Sequence, residues 1–150
     1  MTARARDPGF DARVRASFAR QQFMSTLGAR LVRVEPGEVE ITLPFRADLT
    51  QQHGFLHAGV VTSIVDSACG YAALSVMEPG AGVVSVEFKV NLLAPATGSE
   101  FRAIGRVVRS GRTLIVCSGE LHAMHDERDT VVALMQGTMM AVVGRAGMED

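Results

Sequence analysis

The sequence predicts an α+β fold in which a strongly curved antiparallel sheet wraps around one long central helix. Three observations predict it. Residues Ala58 to Met77 (AGVVTSIVDSACGYAALSVM) are small or apolar on nearly every side, which marks a buried helix. Val84, Val86, Phe88, Val90 and Leu92 alternate with Ser85, Glu87, Lys89 and Asn91, the period of a half-buried strand. Tight-turn signals at Pro36-Gly37, Ser110-Gly111 and Asp126–Asp129 join neighbouring strand-like runs, so the pairing is antiparallel and not a βαβ series. A helix that is apolar all round needs a wrapper, and a curved sheet is the simplest one.

Taken in order, the chain begins with an amphipathic helix from about Phe10 to Thr26. Val14, Phe18, Gln21 or Gln22, and Met24 recur at near-helical spacing, and Gly28 stands where the helix stops. Ala29–Phe45 reads as a hairpin in which Pro36-Gly37 separates two short runs, one containing Leu31, Val32 and Val34 and the other Val39, Ile41 and Leu43. Arg46–Leu56 is a polar loop. The buried helix follows and ends at Glu78-Pro79-Gly80. The alternating strand, a turn at Pro95 and Gly98, and runs at Glu100–Arg109, Thr113–His125 and Val131–Val143 complete a four-strand meander. No repeat, low-complexity tract or linker interrupts the chain, so residues 1–150 are expected to form one domain, with residues 1–23 as an N-terminal extension.

Composition bounds the function. Hydrophobic residues make up 47% and charged residues 21% of the 150 positions, as in ordinary globular proteins. A formal net charge of −1 argues against strong non-specific binding to nucleic acid or to an anionic membrane. The basic residues are unevenly placed: Arg4, Arg6, Arg13, Arg15 and Arg20 form one cluster, and Arg102, Arg106, Arg109 and Arg112 another. Cys69 and Cys117 lie in apolar stretches without metal-type spacing, and buried free thiols are expected in preference to a disulfide. No apolar run reaches the roughly 18 residues of a membrane span, and the opening MTARARDPGF lacks the apolar segment of a secretory signal. A cytoplasmic protein is the expectation.

Chemistry concentrates in Gln51-Gln52-His53-Gly54-Phe55-Leu56-His57-Ala58-Gly59 and in Asp66 beyond it. Asp66 stands alone in an apolar helix. Burying an unpaired carboxylate is expensive, so this acid is compensated, open to a cleft, or protonated. A desolvated carboxylate suits a general base working near neutral pH; a structural, hydrogen-bonded aspartate is the alternative. The first turn of the helix offers unpaired backbone N–H groups, and that of Ala58 or Gly59 is the candidate donor to an oxyanion. Asp66 lies roughly 12 Å further along the axis, too far to attack a carbonyl held at its own helix start. A second subunit would solve that problem.

This segment resembles the signature of hotdog-fold acyl-CoA thioesterases, in particular the phenylacetate-pathway-type and thioesterase-superfamily-member-2-type branch. That signature runs Asn or Gln, two residues, Gly, two residues, His-Gly-Gly, then an acid on the central helix. Gln51, Gly54, His57, Gly59 and Asp66 match it, and Ala58 replaces the middle glycine. Only a backbone N–H is needed there, so alanine serves if its φ is negative. The resemblance covers roughly residues 24–144 and implies a hotdog fold and a thioester hydrolase acting on acyl-CoA. Coenzyme A is then part of the substrate, and no separate cofactor is expected. The resemblance assigns Asp66 as base or nucleophile, the Ala58 N–H as carbonyl polariser, Gln51 as a positioning group, and His57 as a loop holder. It also implies a homodimer or dimer of dimers (a homotetramer) with the site between subunits. Ser85, with Ala94-Pro95-Ala96 and Gly98 after it, resembles the strand that follows the central helix, where a polar group sits near the acid; an outward-facing serine is the alternative. The turn Arg109-Ser110-Gly111-Arg112-Thr113 resembles the one that contacts coenzyme A, against a merely solvated basic turn. Phe55, Leu56, Tyr71 and Met77 are candidates to border the acyl group.

Other signals carry less. His53 and His57 lack the following Glu of a zinc protease, and His122 and His125 point to opposite faces of a regular strand. Ser63, Ser67 and Ser75 lack a nucleophile elbow, and Cys69 lacks an activating base. Met135, Met139 and Met140 read as packing. Two rivals stay open: a hydratase or dehydratase on acyl thioesters, and a non-catalytic acyl-CoA-binding or regulatory module.

Overall fold

Glycine decides how the central helix is seated. In the computed structural model, which describes residues 3–150, α3 (Ala58–Leu74) lies against β4 (Glu100–Ser110) and β5 (Leu114–His125). A methyl group on Gly105 would overlap the Ala68 carbonyl and the Cys69 amide, and one on Gly119 would sit 2.5 Å from Val65. Bare backbone at both positions lets helix and sheet approach this closely. Val39, Ile41, Leu43, Phe101, Ala103, Ile115, Cys117, Leu121 and Met139 fill the rest of the contact and are buried against Ile64, Val65, Ala68 and Ala72.

Before α3 come α1 (Phe10–Arg20), α2 (Gln22–Leu27), β1 (Arg30–Glu35), β2 (Glu38–Pro44) and a short 3-10 turn at Ala47–Leu49. After it come β3 (Gly82–Leu92), β4, β5 and β6 (Arg128–Val142). Met1 and Thr2, which open both the expected 1–150 domain and the stretch read for a secretory signal, lie outside the described residues. No helix among the described residues is long and apolar enough to cross a membrane.

The sheet corrects the expected wrapper. Its six strands run β1-β2-β4-β5-β6-β3, all antiparallel, with β1 and β3 as unjoined edges. It is therefore an open sheet with α3 packed on it, neither closed nor strongly curled around the helix. The error lay in reading α3 as apolar all round. Gly59, Thr62, Ser63, Asp66 and Gly70 recur every three or four residues, and this stripe of small and polar residues is left partly open. A helix with one open stripe does not need enclosing. The meander is corrected too: β4, β5 and β6 follow one another, but β3 crosses to the far edge and pairs with β6.

Two local departures matter for the site. The expected helix Phe10–Thr26 breaks at Gln21, whose extended backbone (ψ 94°) separates α1 from α2, while Gly28 ends α2 in the left-handed region at φ 76°. The regular alternation expected in β3 is also broken. Register shifts between Ser85 and Glu87, so Val86 bulges out at 54% exposure and Ser85 pairs with the fully buried Met139. Elsewhere polar anchors set the helix. Arg13 donates to the carbonyls of Leu74, Met77 and Glu78 at 2.7–3.0 Å, satisfying the C-terminal end of α3. Ser75 accepts from the Gly37 N–H at 2.8 Å, tying the same end to the β1–β2 turn.

Because the Gly105 contact is backbone against backbone, Gly105→Ala is expected to destabilise by about 2–3 kcal/mol or more. Gly70→Ala, where a methyl meets nothing within 4 Å, should instead stabilise the helix by about 0.5–1 kcal/mol. Urea midpoints of the two variants check the contrast; equal shifts would mean that the seating is loose.

Candidate active site

Asp66 sits on the open stripe of α3, about half-buried. Its Oδ1 accepts a 2.8 Å hydrogen bond from Ser85 Oγ, so the bulge in β3 aims this hydroxyl at the carboxylate. Loss of solvent pushes the Asp66 carboxyl above the ordinary carboxylate range, and the Ser85 bond offsets only part of that rise. The group opens onto a cleft of about 300 Å³ lined by Ser17, Arg20, Gln21, Ser67, Gly70, Tyr71, Val83 and Asp150. This lining is mainly polar: Ser17 donates to Asp150 at 2.6 Å, Arg20 pairs with Asp150 at 2.7 Å, and Ser67 donates to Gln21 at 3.3 Å.

The start of α3 forms a second locus. His57 is the N-cap, and its Nδ1 accepts from the Gly59 N–H at 2.8 Å, so that donor is engaged by the cap. The Val60 and Val61 amides both donate to the His57 carbonyl. Among the described residues the Ala58 N–H has no acceptor, and Ala58 does not adopt positive φ, so it presents its donor as a glycine would. Gln51 closes the preceding loop: its N–H donates to Phe55 O, its carbonyl accepts from the Gly54 N–H, and its side-chain Oε1 accepts from the His53 N–H. Gly54 takes φ 83°, where a side chain would be strained. Gln51, Phe55, Leu56, Ala58 and Val61 line a cleft of about 380 Å³ together with residues 92–96.

These two loci are separate within one chain. Eight residues part Ala58 from Asp66, roughly 12 Å of helix, and the two clefts share no residue. The third set, Arg109 to Thr113, forms the exposed β4–β5 turn, closed by the Gly111 N–H donating to Leu114 O at 2.9 Å. Of the residues named for the acyl group, Tyr71 borders the Asp66 cleft, Phe55 and Leu56 border the second, and Met77 is buried near Arg112.

Sequence reading missed Ser17, Arg20, Gln21 and Asp150 beside Asp66. A signal existed for two of them: Ser17 and Gln21 follow Val14 at helical spacing, so Ser17 falls on the inward face of α1 and Gln21 lies at its C-terminal cap. The cysteines are unsuited to nucleophilic chemistry, because burial raises both thiols, that of Cys117 to about 12. His122 is taken up by contacts of its ring nitrogens with the carboxylates of Asp129 at 2.7 Å and Glu120 at 3.3 Å.

A carboxylate with raised proton affinity beside a polar cleft, and a free helix-terminal N–H, are the parts of a carbonyl-hydrolysing site. Comparison with known proteins agrees with that chemistry. The family model described as the thioesterase superfamily matches residues 53–130, a span that includes His57 to Asp66, Ser85 and the β4–β5 turn. The crystal structure of a thioesterase family protein from Silicibacter pomeroyi is 51% identical, superposes with a TM-score of 0.89, and covers 91% of this chain and 100% of its own. Human acyl-coenzyme A thioesterase 13 is 30% identical over 110 residues, 72% of this chain and 78% of its own length. The PaaI protein from the phenylacetic acid degradation operon of E. coli superposes at a TM-score of 0.83 over 93% of this chain and 98% of its own. At 20% identity that likeness shows the fold alone.

The raised carboxyl makes stability depend on pH. A group whose proton affinity is higher in the folded state stabilises the fold below its unfolded-state pKa, and that contribution is lost as pH rises through the folded-state value. Asp66→Asn is therefore expected to be more stable than the parent at neutral pH, with the difference closing in acid. Urea unfolding from about pH 3 to about pH 8 checks this; a constant difference, or one of opposite sign, would show that Asp66 is not desolvated.

Proposed function

The chain belongs to the thioesterase superfamily, and from that premise we propose that it hydrolyses the thioester of an aromatic or medium-chain acyl-CoA to the free acid and coenzyme A. The observation that carries the proposal is Asp66: a lone half-buried carboxylate on the central helix, held by Ser85, with raised proton affinity and a cleft before it. Ser85 occupies Oδ1, which leaves Oδ2 to take a proton from water. The water oxygen then bonds to the thioester carbon, the carbonyl oxygen gathers the negative charge, and the C–S bond breaks. The departing sulfur takes the proton back from Asp66. In the other version the Asp66 carboxylate itself bonds to the thioester carbon and expels the thiolate; water then opens the resulting anhydride to the free acid and the regenerated carboxylate, and the proton released goes to the thiolate.

The developing oxyanion needs a donor, and Ala58 N–H supplies one from a second subunit. There Gln51 keeps its side-chain NH2 free to position water, while its oxygen is engaged by the His53 N–H. His57, as N-cap, holds the loop and consumes the Gly59 donor. A homodimer, or a dimer of dimers forming a homotetramer, brings the two clefts together. Support for edge-to-edge pairing comes from β3, an edge strand whose Val86, Phe88 and Leu92 are 43–54% exposed. Residues 1–150 act as one hotdog domain in this reading, with residues 1–23 as its extension. The free buried cysteines fit a reducing compartment, and the enzyme is taken as cytoplasmic.

Release of free thiol from a panel of aromatic, short and medium-chain acyl-CoAs is expected, with Asp66→Asn slower by roughly 10²–10⁴-fold. A folded Asp66→Asn protein with near-parent turnover would overturn both versions of the mechanism. Binding of acyl-CoA without turnover by the parent would favour the regulatory-module reading.

Ala58→Pro tests the donor separately. Proline is well tolerated at the first helical position, and His57 before it already has an extended backbone at ψ 138°. The variant should fold with an unchanged melting temperature yet lose roughly 10²–10³-fold in kcat, because only the N–H is removed. Retained kcat would mean that the oxyanion is held elsewhere.

A further inference from the structure

The fold brings together two groups of arginines that the sequence keeps about a hundred residues apart. The N-terminal arm runs along the β4–β5 turn, where Arg6 Nη2 lies 3.5 Å from both Ser110 Oγ and Gly111 O. The arm is anchored behind that contact. Asp7 accepts from the Gly9 N–H at 2.7 Å and faces Arg13 at 3.4 Å, and Arg13 is itself fixed on the end of α3. Arg4 and Arg6 thus join Arg109 and Arg112 at one end of the sheet.

The gathering of arginines with little carboxylate to balance them marks this place. Among the described residues Arg13, Arg15, Arg20, Arg33, Arg46, Arg102 and Arg106 each pair with a carboxylate at 3.4 Å or less. Arg4, Arg109 and Arg112, like Arg30, Arg128 and Arg145 elsewhere, pair with none of the described carboxylates, and Arg6 meets only Glu78, at 3.7 Å; the first three and Arg6 border the adjoining clefts at this end of the sheet. Neighbouring unpaired cations repel one another, and an anion of several charges relieves that repulsion. The arginines border a cleft of about 790 Å³ formed by Ala3 to Arg6, Glu78 and Val107 to Ser110, with a smaller one beside Arg6, Arg112 and Val143. Val143 and Val108, exposed to 72% and 65%, are the most exposed large hydrophobic residues described. Guanidinium groups for phosphates beside bare apolar surface for a base are the two halves of a nucleotide site.

We propose that the N-terminal arm completes this site, and that Arg4 and Arg6, with Arg109 and Arg112, hold the phosphorylated adenosine end of coenzyme A. The inference rests on the thioesterase reading for its ligand and adds to it a role for the arm, which lies outside the residues that the family model matches. Reach is consistent. Ser110 pairs with Ile115, Ile115 with Met139, and Met139 with Ser85, three strand spacings or roughly 14 Å from the turn to the hydroxyl that holds Asp66. An extended pantetheine arm spans such a gap.

The test compares one acyl group on two carriers, coenzyme A and N-acetylcysteamine, which has no phosphate. In Arg4→Ala/Arg6→Ala, KM for the coenzyme A thioester should rise about tenfold with kcat within about twofold, and the cysteamine thioester should be unaffected. Calorimetric titration with adenosine 3′,5′-bisphosphate at low salt should show about tenfold weaker binding by the double variant, and Arg109→Ala/Arg112→Ala should weaken it comparably. An unchanged coenzyme A KM in the arm variant, or a parent protein that does not bind the bisphosphate, would overturn the proposal. Bisphosphate binding by a parent that hydrolyses neither thioester would sink the enzymatic reading and leave the arginine site standing.

Discussion

The close seating of α3 on the sheet is the constraint from which the rest of the structure follows. Gly105 and Gly119 remove the side chains that would hold helix and sheet apart, and Arg13 and Ser75 fix the helix along its axis. With the helix position set, only one of its faces stays uncovered, and Gly59, Ser63, Asp66 and Gly70 occupy it. Asp66 is half-buried for this reason: Ser85 bonds to it from β3, while the cleft that Tyr71 also lines stays open before it. A looser helix would let water surround the carboxylate and return its proton affinity to the ordinary range.

The cap at the start of α3 divides labour among the free amides. A helix leaves four N–H groups without intrahelical partners, and His57 takes the one at Gly59. The Ala58 donor stays available and points out of a loop stiffened by Gln51, Gly54 and the His57 N–H to Leu49 O bond. In the proposed mechanism each half of the chemistry is thus prepared in its own cleft, acid in one and donor in the other. Preorganised groups need no rearrangement as charge develops, which is where their catalytic value lies.

Much of this was legible in the sequence because it rests on local pattern. The helix around Asp66, the hairpin at Pro36-Gly37 and the strand runs have short-range signatures, and Asp66 stood out as the one acid in an apolar helix. The failures have one cause, which is that partners distant in the chain decided the outcome. Pairing of β3 with β6 instead of β4 depends on where α3 delivers the chain. The bulge at Val86 reverses the alternation, and only that reversal aims Ser85 at Asp66. Counting glycine, serine and threonine as merely small hid the open stripe and suggested a wrapped helix. The Gln21 break carries neither Gly nor Pro, and the side chain it frees accepts from Ser67, forty-six residues later.

The open stripe and the exposed β3 edge are one surface. Ser85 belongs to the edge strand and bonds directly to Asp66, so whatever covers Val86 and Phe88 also approaches the carboxylate. Covering that edge satisfies unpaired backbone groups and removes apolar side chains from water, both favourable. It also withdraws solvent from Asp66, which is unfavourable for its charged form and moves its proton affinity in the direction that half-burial has already taken it. Assembly on this face and the basicity of Asp66 are therefore linked: the apolar contacts supply the free energy that a desolvated base requires, and the base grows stronger as the contact forms.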